Sequence, residues 1–301
     1  MLSSPIIAEV GTISMRPLPM KENRVSSVGI ERLENKDERE VIAFLSQRPI
    51  HTVYMGGLIL DNGIVSPLNR GQFYAYRNRE GDVEGVLLLG QKMVFETQSE
   101  AALEAFAALA LENPELQLIR GEEGQIERLS VYLSEHGHEP RRVSRELLLE
   151  QRSPAEGVES MGDLRPALIE DQERVASINA MMMFEETGMN PLERDPKGVL
   201  QRIRRRIEQR RVWVLVERGR IIFKADIISE TPEAAFIEGV YVHPEERGRG
   251  CGFRCMTQLG HILLARISSL CLVVNEENKG AQALYYKAGY KLRSHYRTVY
   301  F

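Results

Sequence analysis

Apolar and polar positions along this chain switch between two spacings, and each switch marks an element. VGIERL (28–33) alternates and predicts a strand, while Asp37–Gln47 and His51–Leu60 carry apolar residues at helical spacing. Three strand-like runs follow, Gln72–Arg77, Val83–Leu89 and Lys92–Phe95, the first two joined by a Gly81-Asp82 turn. Ser99 is placed to cap an Ala/Leu-rich helix that Asn113-Pro114 ends. A strand at Leu116–Arg120, a helix at Glu122–Glu135 and a strand at Val143–Glu150 complete this half. Residues 1–27, rich in Ser, Pro and Met and without periodicity, read as an extended N-terminal arm.

QRSPAEGVES (151–160) has the composition of a linker, and beyond it the same order of elements returns. Leu164–Leu168 reads as a strand, with helices at Glu170–Thr187 and Pro196–Gln209. Strands at Val212–Glu217, Arg220–Ile228 and Ala234–His243 precede a helix at Cys251–Ile267. A strand at Cys271–Asn275, a helix at Asn278–Lys287 and a strand at Tyr290–Phe301 close the chain. An offset of 152 residues lays Gly137 on Gly289 and Arg145 on Arg297. The shared order and the offset point to one fold used twice, at 28–150 and 161–301.

Length agrees, since 301 residues exceed the usual single domain. With 43% apolar and 27% charged residues the profile is globular, and a net charge of −4 argues against a nucleic-acid binder working by bulk positive charge. RIRRRIEQRR (202–211) reads as a solvated helix face with Ile203 and Ile207 as its buried stripe. No apolar run approaches ~18 residues, so no membrane span is expected. MLSSPIIAEVGT lacks a basic start and meets Glu9 early, so no signal peptide is expected either. Three cysteines without a C-x-x-C pair fit the reducing cytoplasm, and six histidines without ligand spacing predict no metal.

Chemistry concentrates in FIEGVYVHPEERGRGCGFRCMTQL (236–259), which runs from an apolar strand through a Gly-rich turn into a helix. Arg247, Gly250 and Gly252 stand in the spacing R-x-x-G-x-G. Glycines allow close approach of a ligand, and the first N–H groups of a helix have no internal partner. With the helix dipole they make a phosphate or pyrophosphate site, to which Arg247 and Arg249 add charge. An ordinary strand-to-helix turn would carry the same residues.

The second segment is VVNEENKGAQALYYKAGY (273–290), with Asn278, Ala281, Leu284, Tyr285, Gly289 and Tyr290 in the pattern N-x-x-A-x-x-L-Y-x-x-x-G-[FY]. Both motifs, in this order, resemble the GNAT superfamily of N-acetyltransferases across about 161–301. The whole arrangement resembles tandem GNAT proteins, in which a degenerate N-terminal half precedes an active C-terminal one. The resemblance implies an α/β mixed sheet whose strands at 234–243 and 271–275 splay apart. Acetyl-CoA would lie between them, its pantetheine arm on the backbone of Val240, Tyr241 and Val242. Its pyrophosphate would sit on Arg247, Gly248, Arg249, Gly250, Cys251 and Gly252, with Asn278 on the arm.

An amine would attack the thioester directly, which needs a base for the ammonium and an acid for the thiolate. Tyr285 occupies the family's acid position, a core or surface tyrosine being the alternative. Glu238 lies at the centre of an apolar strand, where partial burial favours a base and an ion pair is the rival reading. It shares a face with Val240 and Val242 by strict alternation. Glu185 and Glu186, between the first two helices of the second half, are candidates for binding a cationic acceptor, as an alternative to a solvated helix end. The acceptor, a small-molecule or protein amine, is not legible. A non-catalytic acyl-CoA-binding module keeps the same turn and stays open.

The first half has KMVFETQSE (92–100) where the second has its glycine turn, and places Leu133 and Ile126 opposite Tyr285 and Asn278. It is therefore expected to serve as a scaffold or as one wall of the acceptor pocket.

Overall fold

The computed structural model describes residues 29–301, so the arm read at 1–27 lies outside the described residues. The first half runs β1 (Ile30–Arg32), α1 (Glu38–Leu45), α2 (Pro49–Asn62), β2 (Gly71–Arg77), β3 (Val83–Gly90) and β4 (Lys92–Thr97). It continues with α3 (Glu100–Leu111), β5 (Leu118–Glu122), α4 (Glu123–Glu135) and β6 (Arg142–Gln151). The second runs β7 (Arg165–Pro166), α5 (Gln172–Thr187), α6 (Pro191–Arg194), α7 (Pro196–Glu208), β8 (Val212–Glu217) and β9 (Arg220–Glu230). β10 (Ala234–Val242), α8 (Cys251–Leu264), β11 (Ser269–Asn275), α9 (Lys279–Lys287) and β12 (Lys291–Tyr300) complete it.

Local chemistry explains most boundaries. The Ser99 hydroxyl accepts from Ala102 N, and the Asp195 carboxylate accepts from Gly198 N at 2.9 Å, so α3 and α7 begin where capping satisfies orphan donors. Val199, Ile203 and Ile207 form the buried stripe of α7. The strand read at Leu164–Leu168 shrinks to two residues. Pro166 lacks a donor, and the Asp171 carboxylate draws Leu168 N (2.9 Å) into a tight turn. Helix α5 ends at Thr187, where the pattern puts its end, so Glu185 and Glu186 lie in its last turn rather than between helices. The short α6 starts at Asn190, whose side chain accepts from Leu192 N with Pro191 at the first position.

All twelve strands join one sheet in the order β1-β2-β3-β4-β5-β12-β6-β11-β10-β9-β8-β7. This order is a palindrome of the two halves, with their last strands exchanged across the middle. β12 pairs with β5 of the first half, and β6 pairs with β11 of the second. Where β6 and β12 meet, Arg145 lies directly opposite Arg297. The two arginines that the 152-residue offset equates are thus neighbours, and the pseudo-twofold passes between them.

Burial follows from this topology. Leu147 and Leu149 of β6 join the core under α8, while Leu148 joins Val53 and Phe236 on the opposite face. Three consecutive leucines are buried because both faces of a central strand are covered. Helix α2 crosses from its own half onto β9 and β10 of the other. The Ser229 hydroxyl donates to Val53 O at 2.8 Å, and Asp61 pairs with Arg211 at the helix's far end.

Candidate active site

β10 and β11 pair in parallel at Ala234–Phe236 against Ser269–Cys271, and beyond that register their facing edges diverge. β10 stays bonded to β9, and β11 to β6. The backbone of 237–242 therefore turns unpaired peptide groups toward the gap, which needs an occupant with matching donors and acceptors.

The gap opens onto the Gly-rich turn. Pro244–Glu246 form a tight helical turn, after which Arg247 Nε donates back to Val242 O at 3.1 Å. Gly250, at φ +80°, is the N-cap of α8 and no side chain caps the helix there. A Cβ at Gly250 would meet nothing within 4 Å, so the cradle is open. Orphan N–H groups and the positive helix end face that space.

Gly252 has a different reason to be glycine. A Cβ there would sit 2.6 Å from Leu284 Cδ1 and 2.9 Å from Val242 Cγ2. It is required by the packing of α8 against α9 and β10, not by ligand approach. We expect Gly252→Ala to cost about 1–3 kcal/mol, seen as a Tm lower by roughly 2–10 °C in thermal unfolding. An unchanged Tm would show that these elements can move apart freely. The thiols of Cys251 and Cys255 are both buried, so only the backbone of Cys251 reaches the turn.

Asn278 caps α9 by accepting from Ala281 N at 3.0 Å and is itself exposed. Tyr285 packs against the α8 core, its ring 5.8 Å from that of Tyr290, and burial pushes its hydroxyl up to about 12. Tyr286, one residue on, is exposed.

Glu238 departs from the simple alternation expected of it. A register shift lies between Glu238 and Tyr241, with Gly239 at φ +60°. The bulge turns Val240 and Val242 onto the α8 core, whereas Phe236 packs toward α2. Glu238 is 42% exposed and lies 3.6 Å from Arg120 Nη1 of the first half. The ion-pair reading and the exposed carboxylate coexist in one side chain.

Sequence reasoning missed what holds this bulge. Lys224 is fully buried, donates to Gly239 O at 2.9 Å and pairs with Asp226 at 2.8 Å. Burial drives the Lys224 ammonium below its ordinary value. Two opposite charges in the apolar run RIIFKADIIS were the available signal, since such charges survive burial only when paired. Glu185 stands exposed in the last turn of α5; burial raises the Tyr241 hydroxyl, and the Glu185 charge adds to this. The side chain of Glu186 lies outside the described residues.

On the α2 face, a narrow, partly open cleft runs between the halves. Phe236, Val273 and Tyr296 line one side and Tyr54, Lys92 and Arg120 the other. At its far end Arg48 bridges the carboxylates of Glu96 (2.8 Å) and Glu122 (2.7 Å). β4 and β5 also splay, pairing at Lys92–Met93 against Leu118–Ile119. Arg48 spans that second gap, and Gln125 Nε2 donates to Thr97 O at its mouth. Leu133 and Ile126 are fully buried in the core beneath α3 and α4.

Comparison with known proteins agrees with this geometry. Residues 208–292 match the family model of a GNAT acetyltransferase domain. No protein of curated function matches the sequence. Among solved structures, an acetyltransferase of the GNAT family from Colwellia psychrerythraea is similar over 90% of this chain and 99% of its own, at 14% identity and a TM-score of 0.57. A GCN5-related N-acetyltransferase from Sphaerobacter thermophilus is similar over 90% and 94%, at 16% identity and a TM-score of 0.57. A tandem GNAT protein from the clavulanic acid biosynthesis pathway covers 89% of this chain and 97% of its own, at 14% identity and a TM-score of 0.55. Residues 208–292 are thus similar to a GNAT domain, and the chain as a whole has the tandem GNAT fold.

Proposed function

We propose that this protein transfers an acetyl group from acetyl-CoA to an amine, with Glu238 as base and Tyr285 as acid. One observation carries the reading: the unpaired edges of β10 and β11 lead directly onto the uncapped N-terminus of α8 at the open Gly250. An extended amide-containing arm would pair with Val240–Val242. Its pyrophosphate would lie on the amides after Gly250, with Arg247 and Arg249 beside them.

In the step itself the acceptor nitrogen attacks the thioester carbonyl, the C–S bond breaks, and the amine proton passes to Glu238. The Tyr285 hydroxyl donates a hydrogen bond to the departing sulfur as its charge develops, and the thiolate is released to equilibrate with solvent protons. A part-exposed Glu238, held by the Arg120 that lines the cleft, favours this over a non-catalytic acyl-CoA-binding role, which has no use for one. The first half serves as a wall, since Arg48 and Gln125 occupy the place where a second cofactor arm would lie. All three cysteines are buried and unbridged, which suits the reducing cytoplasm where we place the protein.

The test is calorimetry with acetyl-CoA followed by a thiol-release screen over an amine library. Gly250→Asp puts a carboxylate against the pyrophosphate, and we expect acetyl-CoA affinity to fall at least about tenfold. Equal affinity in mutant and wild type would remove the cofactor assignment.

A further inference from the structure

Lys92 is the first residue of β4 and belongs to the half without the Gly-rich turn, yet its ammonium lies in the same cleft as Arg120, whose guanidinium reaches Glu238. Nζ sits 4.3 Å from the centroid of the Tyr54 ring, and among the described residues no carboxylate lies within 4 Å of it. Its cationic neighbour is differently placed. Arg120 donates from Nε to Glu146 at 3.0 Å and reaches Glu238 at 3.6 Å, so two carboxylates answer one guanidinium. At the far end, Glu96 and Glu122 are held by Arg48. Lys92 is thus the cleft's cation without an anion of its own.

That position is costly for an ammonium. Burial, and then the Arg120 charge, push its pKa down to about 8. A cation–π contact returns only ~0.5–2 kcal/mol, less than a paired carboxylate restores to a desolvated charge. Glu238 attracts the same ammonium from beyond ion-pair distance, and Arg120, which lines the cleft beside Lys92, links the two without neutralising the lysine. A ligand with a positive and a negative end would suit both groups, its amine toward Glu238 and its anion toward Lys92.

We infer that the acceptor is an amine that also carries a carboxylate, an amino acid, and that Lys92 holds this carboxylate while Glu238 takes the amine proton. The inference rests on the acetyl-transfer reading and adds its substrate class. It also gives the first half a direct part in recognition, because Lys92 and the Tyr54 beneath it both come from that half.

The experiment uses the full chain saturated with acetyl-CoA and a panel of α-, β- and γ-amino acids, each paired with its carboxamide. Thiol release gives kcat/KM for both members, and binding to the CoA-loaded protein is followed by thermal shift. We expect at least one acid to exceed its amide by about 10–100-fold, the range of a charge-assisted bond. That ratio should fall toward one in Lys92→Met and survive in Lys92→Arg, through KM far more than kcat. Acids and amides bound and used alike, a ratio unchanged in Lys92→Met, or a panel neither bound nor acetylated would each overturn the inference. So would an acetyl group found on Lys92 itself by mass spectrometry, since the lysine would then be the acceptor. Failure of acetyl-CoA to bind at all is a separate result and strikes the transfer reading instead.

Discussion

Tyr285→Phe is expected to lower turnover by about 10²–10⁴-fold while acetyl-CoA affinity stays within about threefold. The substitution keeps the ring against the α8 core and its contact with Tyr290, and removes one oxygen. Burial sets how that oxygen works. At about 12 the hydroxyl stays protonated throughout the neutral range, so a donor is always present. A fully formed thiolate, with a pKa near 8.5, would not take that proton at equilibrium. Tyr285 therefore acts as a hydrogen-bond donor to sulfur while charge develops, and the effect belongs to kcat. Because the group does not ionise until far above neutrality, kcat should show no basic limb from it up to about pH 10. Turnover near wild type in the phenylalanine variant, measured with an amine found in the screen, would remove the acid role.

How much of this was legible in the sequence depends on the range of the interaction. Elements set by neighbours within a few residues were readable: the Ser99 cap, the Val212–Glu217 strand and the apolar stripe of α7 all stand where the pattern put them. The splay and the glycine turn were readable because GNAT spacing marks them, and the repeat offset even located the pseudo-twofold at Arg145 and Arg297. Partners far apart in sequence were not. Nothing local says that Arg120 reaches Glu238, that Lys224 clamps Gly239, or that Arg48 closes the first half's gap. Strict alternation failed at Glu238 because one bulge inverts the faces that follow it, and a glycine in a strand is a weak sign of that. Gly252 was read as making room for a ligand, whereas Leu284 and Val242 occupy the space its side chain would need.

Neither half, expressed as 29–151 or 161–301, is expected to give a folded monomer, whereas the two co-expressed should assemble. The reason is the exchange of last strands. In the second half β11 has β6 as its neighbour, and β12 lies one strand further out, so its sheet is interrupted when β6 is removed. Leu147, Leu148 and Leu149 go with it, each at most 6% exposed. At roughly 2 kcal/mol apiece their loss approaches 6 kcal/mol, against a typical total of about 5–15 kcal/mol for a folded domain. The ladder bonds of β11 are lost as well and leave a long apolar edge, the usual starting point for aggregation. The first half fares no better: without β12, strand β5 loses the partner of Leu118–Glu122, and Arg297 no longer pairs with Glu123 and Glu127. The full chain should accordingly melt in one transition, monitored by both Trp213 fluorescence and circular dichroism. A monomeric second half with a cooperative melt of its own would show that β12 can move in beside β11. The exchange would then be a consequence of tethering the halves and not a condition for folding either.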